Sequence, residues 1–191
     1  MEELTLLGER AVQAKYELQR MTTEKKNEVL EAVAEALIQN TEYLLLENHK
    51  DLERGIANQM NPGLVDRLRL TKERIAGMAE GIRQIVKLPD PVGEILDDYE
   101  AENGLHIVKK RVPMGVIGII YESRPNVTAD AFGLCFKSGS AVILKGGSDA
   151  IRSNMAITKV IQDAVVRKGV DPYVIQLIES TDRSVDNEFM K

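Results

Sequence analysis

The chain has 191 residues, 25 Lys+Arg against 30 Asp+Glu, and a formal net charge of −5. That length bounds it to one large domain or two small ones, and the acidic balance argues against a nucleic-acid or membrane-surface binder. A content of 43% hydrophobic and 29% charged residues excludes a disordered chain. A single cysteine excludes an internal disulfide, and His49 and His106 stand too far apart in sequence to suggest a zinc cluster. No apolar run reaches bilayer length, and Met1-Glu2-Glu3 carries the wrong charge for a secretory signal, so a soluble cytoplasmic metabolic protein is expected.

The first half reads as helices. Leu4, Leu7, Ala11, Ala14 and Leu18 recur at spacings of three and four, which lines one helical face. Thr22 or Thr23 caps a second helix with Leu30, Val33, Ala34, Leu37 and Ile38 on its apolar side. A third starts at Thr41 with Leu44, Leu45, Leu52 and Ile56, and Asn61-Pro62-Gly63 breaks it. Thr71 opens a fourth, with Ile75, Met78, Ala79, Ile82 and Val86 on one side. Gly77 and Gly81 inside it are either tolerated flaws or places where another backbone approaches. Pro89-Asp90-Pro91 ends the helical part.

A hairpin arm follows. Asn103-Gly104 is a strong turn signal because both residues tolerate positive φ, and centring the turn there sets Asp98 opposite Lys109 and Asp97 opposite Lys110. The acidic run 97–102 reads as a solvated strand with a basic partner, since its spacing is not that of a calcium loop. A lone hairpin is marginal in water, so the arm is expected to pack on more chain or on a second subunit.

The last eighty residues change period. Val116-Ile-Gly-Ile-Ile120, Ala141-Val-Ile-Leu144 and Val174-Ile-Gln-Leu-Ile178 are short apolar runs suited to strands buried on both faces of a parallel sheet. Helical stretches near 127–137 and 150–168 separate them, giving βαβαβ. The fold class is α/β, divided into a helical part (1–91), a hairpin arm (92–113) and a Rossmann-like unit (114–191). Ligands of such sheets bind at the carboxyl ends of the strands, here 121–126 and 145–149.

Two stretches there carry potential chemistry. In Lys145-Gly146-Gly147-Ser148-Asp149, two glycines admit a close ligand, a helix start favours anions and Lys145 adds charge. The spacing suits equally a plain turn with a Ser148 or Asp149 cap, and it is neither a Walker loop nor a Gly-x-Gly-x-x-Gly fingerprint. Tyr121-Glu122-Ser123-Arg124-Pro125-Asn126 is a polar cluster at a strand end, where substrate groups project; its bland alternative is a loop with an Asn126 cap and a surface Glu122/Arg124 pair. Cys135, inside the apolar Phe132-Gly-Leu-Cys-Phe136, reads as a buried structural thiol.

Arg111-Val-Pro-Met-Gly-Val-Ile-Gly-Ile-Ile-Tyr-Glu-Ser-Arg-Pro-Asn-Val-Thr128 and Ser138-Gly-Ser-Ala-Val-Ile-Leu-Lys-Gly-Gly-Ser148 closely resemble the γ-glutamyl phosphate reductases, a branch of the aldehyde dehydrogenase superfamily. Lys25-Lys-Asn-Glu28, Asp66-Arg-Leu68 and Asp90-Pro-Val-Gly93 extend the resemblance along the whole chain. It implies NADPH-dependent reduction of γ-glutamyl phosphate to glutamate 5-semialdehyde and phosphate in proline synthesis, through a cysteine thiolate. It also implies a Rossmann-like cofactor domain without the glycine fingerprint, a hairpin that builds a homo-oligomer, and coupling to glutamate 5-kinase. By the same resemblance Lys145 contacts the adenosine ribose. Ser148 stands where NAD-preferring relatives carry a glutamate, and Gly147 belongs to the same cofactor loop. Asn126 takes the oxyanion or a substrate contact, and Glu122, Ser123 and Arg124 touch substrate. Cys135 does not match the nucleophile, which falls beyond Lys191. The chain therefore reads as an N-terminal portion inactive by itself; a non-catalytic assembly or phosphate-binding domain is the alternative.

Overall fold

The computed structural model describes residues 2–190. Five helices come first: α1 (Glu2–Leu18), α2 (Thr23–Gln39), α3 (Thr41–Ala57), α4 (Pro62–Leu68) and α5 (Lys72–Lys87). The arm is β1 (Ile95–Glu100) and β2 (His106–Lys110). Then come β3 (Val116–Ile120), α6 (Asn126–Lys137), β4 (Ala141–Lys145), α7 (Ile151–Arg167), β5 (Ile175–Leu177) and α8 (Arg183–Phe189).

Strands β3, β4 and β5 form a parallel sheet in that order, with Ile120 beside Lys145 and Leu144 beside Leu177. Helices α1, α6 and α7 cover it, and one continuous core joins Leu18, Val33 and Leu37 of the helical part to Phe132, Phe136, Leu144 and Ile157. β4 and β5 are buried throughout, as their apolar runs require. β3 is not: Gly118 and Ile120 are exposed, because only β4 pairs with it among the described residues. A side chain at position 118 would collide with Phe189, whose Cζ lies 2.7 Å from where a Cβ would sit.

Several local expectations need correction. α3 ends earlier, at Ala57, where Gln59 takes a positive φ (54°) and the Met60 amide donates to the Gly55 carbonyl at 2.9 Å. Asn61-Pro62-Gly63 instead begins α4, with Asn61 Oδ1 accepting from the Gly63 amide at 2.8 Å and Pro62 filling a position where no amide hydrogen is needed. Ile38 and Ile56, assigned to apolar faces, are exposed. On α3 the buried side carries Asn48 and Asp51 together with Leu44 and Leu52, because it meets polar backbone rather than core. No backbone closes on Gly77 or Gly81; the space at Gly77 is open, and Gly81 faces only the Asp130 carboxylate.

The arm's register is one residue off the expected one: Asp97 faces Lys109 and Asp98 faces Val108. Ala101 pairs with Leu105, leaving three residues in the loop, of which only Gly104 has positive φ (81°). Asn103 instead accepts from the Leu105 amide through its side chain. The three-residue turn places Asp98 within hydrogen-bond reach of His106 Nε2 rather than opposite Lys109. Both strands are exposed along their length, with Ile95, Leu96, Tyr99, Ile107 and Val108 uncovered.

The root of the arm is fixed by a buried ion pair. Lys26 of α2 is 1% exposed and its Nζ donates to Asp90 Oδ2 at 2.8 Å. Thr23 Oγ1 donates to the same oxygen at 2.9 Å, and the Val92 amide to Oδ1 at 2.9 Å. Beside it, buried Lys137 donates to Asn27 Oδ1 and to the Val86 carbonyl.

Candidate functional site

Parallel pairing of β3 with β4 brings the two polar loops together at the carboxyl ends of the strands. The Tyr121 amide donates to the Lys145 carbonyl at 3.0 Å, extending the ladder into the loops, and Ser123 Oγ donates to Asp149 Oδ2 at 3.2 Å across them. Gly147 must be glycine here: a Cβ would lie 2.7 Å from Ser123 Oγ and 3.2 Å from the Ser123 amide. Between the loops lies a cleft of about 420 Å³. Glu122, Ser123, Arg124, Lys145, Gly147 and Ser148 all line it. Asn126 does not; it lines a neighbouring cleft of about 390 Å³, where its Nδ2 donates to Asp130 Oδ2 at 3.1 Å.

Sequence reading missed Arg67 and Leu64 of α4 and Thr181 and Asp186 near α8, which complete the first cleft. Asp66-Arg67-Leu68 was the available signal. Tyr121 is held by its hydroxyl contact to Thr128 at 2.6 Å, and burial pushes its phenol up to about 12. The Glu122/Arg124 ion pair does not form; the two residues meet only through the Arg124 amide and the Glu122 carbonyl.

The plain-cap reading of the 145–149 loop does not hold. No side chain within the loop caps the helix start. The α7 amides of Arg152 and Ser153 instead donate to Asp51 of α3, at 3.3 and 2.8 Å, and Ser153 Oγ donates to the same carboxylate at 2.7 Å. Arg54 donates to the carbonyls of Ser148 and Asp149 and to Asp51. A protein carboxylate thus already occupies the dipole position that an external anion would take. What remains for a ligand is the charge of Lys145, buried at the cleft floor, and the Ser148 hydroxyl. Lys145 Nζ lies 3.2 Å from Asp186 Oδ1, within ion-pair range but misdirected for a hydrogen bond.

Cys135 lies on α6, 6% exposed, and burial pushes its thiol up to about 11. A thiol so protonated is no nucleophile near neutral pH. Among the described residues no group of three His, Cys, Asp or Glu could hold a metal ion, and no helix is long and apolar enough to cross a membrane.

Residues 2–191 match the model of the aldehyde dehydrogenase family. The whole chain is 50% identical to 46% of a gamma-glutamyl phosphate reductase of Clostridium botulinum (strain Eklund 17B / Type B). It is 53% identical to 46% of one from Lachnospira eligens. A crystal structure of gamma-glutamyl phosphate reductase from Thermotoga maritima superposes on 99% of the chain with a TM-score of 0.96 and 39% identity, covering 46% of that protein. The chain therefore spans about half the length of the curated relatives it matches.

Proposed function

Since the chain belongs to the aldehyde dehydrogenase family, we propose that it carries the cofactor-binding part of an NADPH-dependent gamma-glutamyl phosphate reductase of proline synthesis. The observation that carries this reading is the cleft between the 121–124 and 145–149 loops. Its lining fits a phosphorylated ribose. Lys145 is a buried cation with one misdirected partner, and Ser148 supplies a hydroxyl beside it, with Arg67 and Arg124 on the walls.

NADPH bound there would supply a hydride to the acyl carbon of γ-glutamyl phosphate. In this reading Lys145 leaves Asp186 to meet the cofactor's 2′-phosphate or ribose, and Ser148 donates to the phosphate. The close contact at Gly147 keeps the two loops together and the cleft narrow. Glu122, Ser123 and Arg124 contact the substrate. Asn126 is tied to Asp130 and must release that bond to serve an oxyanion. The nucleophilic thiolate comes from sequence outside these residues, because Cys135 is buried and protonated.

The test uses the protein with the segment that the longer relatives carry, assayed in reverse with glutamate 5-semialdehyde, NADP⁺ and phosphate. Phosphate-dependent NADPH formation is the expected result, and its absence refutes the reading. Ser148→Glu sets a carboxylate against the 2′-phosphate. The kcat/KM ratio of NADPH to NADH should fall by about tenfold or more, on the order of 1–2 kcal/mol, at fixed ionic strength. An unmoved ratio would show that Ser148 does not face the ribose.

The exposed arm is proposed to bind a second copy of the chain, covering Ile95, Leu96 and Tyr99. Deleting residues 93–112 should lower the mass measured by light scattering to that of a smaller assembly. An unchanged mass would refute the assignment. Cytoplasmic location and coupling to glutamate 5-kinase belong to the same proposal.

A further inference from the structure

The neighbouring cleft lies between α4, α5 and the start of α6, and shares Arg67 and Arg124 with the first. Four arginines, at 67, 69, 74 and 124, line it against Asp66 and Asp130. Arg74 is already engaged, donating to the carbonyls of Asp66 and Arg69 and to the Asp66 carboxylate. Arg67, Arg69 and Arg124 have no acidic partner among the described residues. Asp130 is the converse. Among the described residues its half-buried carboxylate accepts only from Asn126 Nδ2 and forms no ion pair. Burial raises its pKa, against the lowering effect of that hydrogen bond. The floor at Gly77 is open, with nothing within 4 Å of an added Cβ.

We propose that this cleft holds an α-amino-acid head group, its carboxylate against Arg124 and its neighbours and its ammonium against Asp130. The inference rests on the reading above that the substrate is a glutamate derivative, and it names the residues that select that class. Free arginines and one unpaired carboxylate facing the same space complement a zwitterion. A phosphate or a plain dicarboxylate would be drawn by the arginines but would meet Asp130 as a like charge. A simple amine would leave the arginines unused. Because Arg67 and Arg124 line both clefts, an amino acid anchored here has its side chain free to extend toward the cofactor.

The test titrates the isotopically labelled 191-residue chain with L-glutamate, glutarate and 4-aminobutyrate, following its amide resonances. Glutarate lacks the ammonium; 4-aminobutyrate lacks the α-carboxylate. Glutamate should bind about tenfold more tightly than either, since each missing group removes a charge-assisted contact. The isosteric Asp130→Asn should abolish its advantage over glutarate, and Arg124→Ala its advantage over 4-aminobutyrate. Gly77→Leu, which fills open space on α5, should block all three ligands while leaving the spectrum of the sheet unchanged. Glutarate binding as well as glutamate, or an advantage that survives Asp130→Asn, overturns the proposal. NADPH added to the same samples separates the two readings. NADPH binding without glutamate preference refutes this inference alone; glutamate preference without NADPH binding refutes the cofactor assignment and supports this one.

Discussion

Asp90→Ala should lower the unfolding free energy by about 3–5 kcal/mol, the range for breaking a buried pair from one side. The reason is Lys26, whose ammonium is almost wholly buried and donates to Asp90. Removing the carboxylate strands that charge and also frees the Thr23 hydroxyl and the Val92 amide. A cycle separates these costs: adding Lys26→Met to Asp90→Ala should recover more than half of the loss, because the stranded charge is gone. Urea unfolding of the four proteins is the measurement. A single-variant loss below about 1 kcal/mol would place the pair among ordinary surface bridges.

The pair also sets a pH response. Burial opposes ionisation of Asp90, but the donors Lys26, Val92 and Thr23 outweigh it and hold its pKa below the usual aspartate value. The folded pKa lies below the unfolded one, so the stabilisation is present above the unfolded value and lost as pH falls through the folded value. Wild type should lose this contribution in acid, below about pH 4, and Asp90→Asn should be flatter over that range.

Asp51→Ala should cost about 2–4 kcal/mol, from two or more charge-assisted hydrogen bonds lost inside the protein. The carboxylate is fully buried and accepts from Arg152 N, Ser153 N and Ser153 Oγ. Its loss leaves α7 without a cap and removes the anchor that, with Arg54, holds the Ser148 loop. Amide exchange at Arg152 and Ser153 should accelerate, and NADPH affinity should fall although Asp51 does not line the cleft between the 121–124 and 145–149 loops. Unchanged exchange at those amides would show that the helix start is held by other groups.

These two carboxylates mark the difference between what sequence spacing reveals and what it hides. Periodicity exposes elements that bury one face, which is why Ala11, Ala14 and Leu18 or Ile75, Met78 and Ile82 identify their helices without the structure. Strand ends follow from the same logic, so the two polar loops that meet at the carboxyl ends of β3 and β4 are legible as a pair. Asp51 caps a helix a hundred residues away, and no local pattern announces a contact across such a distance. The spacing suits a self-capped helix as well as an anion site, because Ser148 and Asp149 are residue types that cap; folding supplies the cap from α3 and leaves them to the cleft. Asn61-Pro62-Gly63 fails differently: α3 has already stopped at Ala57, and these breaker residue types start the next helix. The arm's register was misread because cross-strand charge pairs, worth a few tenths of a kcal/mol, decide less than the turn geometry imposed by Gly104. The arginine cleft was invisible because Arg67, Arg69 and Arg74 look like a solvated surface until Arg124 and Asp130 are folded against them.

Binding of NADPH between the carboxyl ends of β3 and β4 is tested by titrating the labelled chain with NADPH and mapping which amides move. Shifts should concentrate in residues 121–124 and 145–149, weaken with Lys145→Ala and be markedly smaller with NADH at equal concentration. Shifts confined to other surfaces, or equal responses to both cofactors, would contradict it.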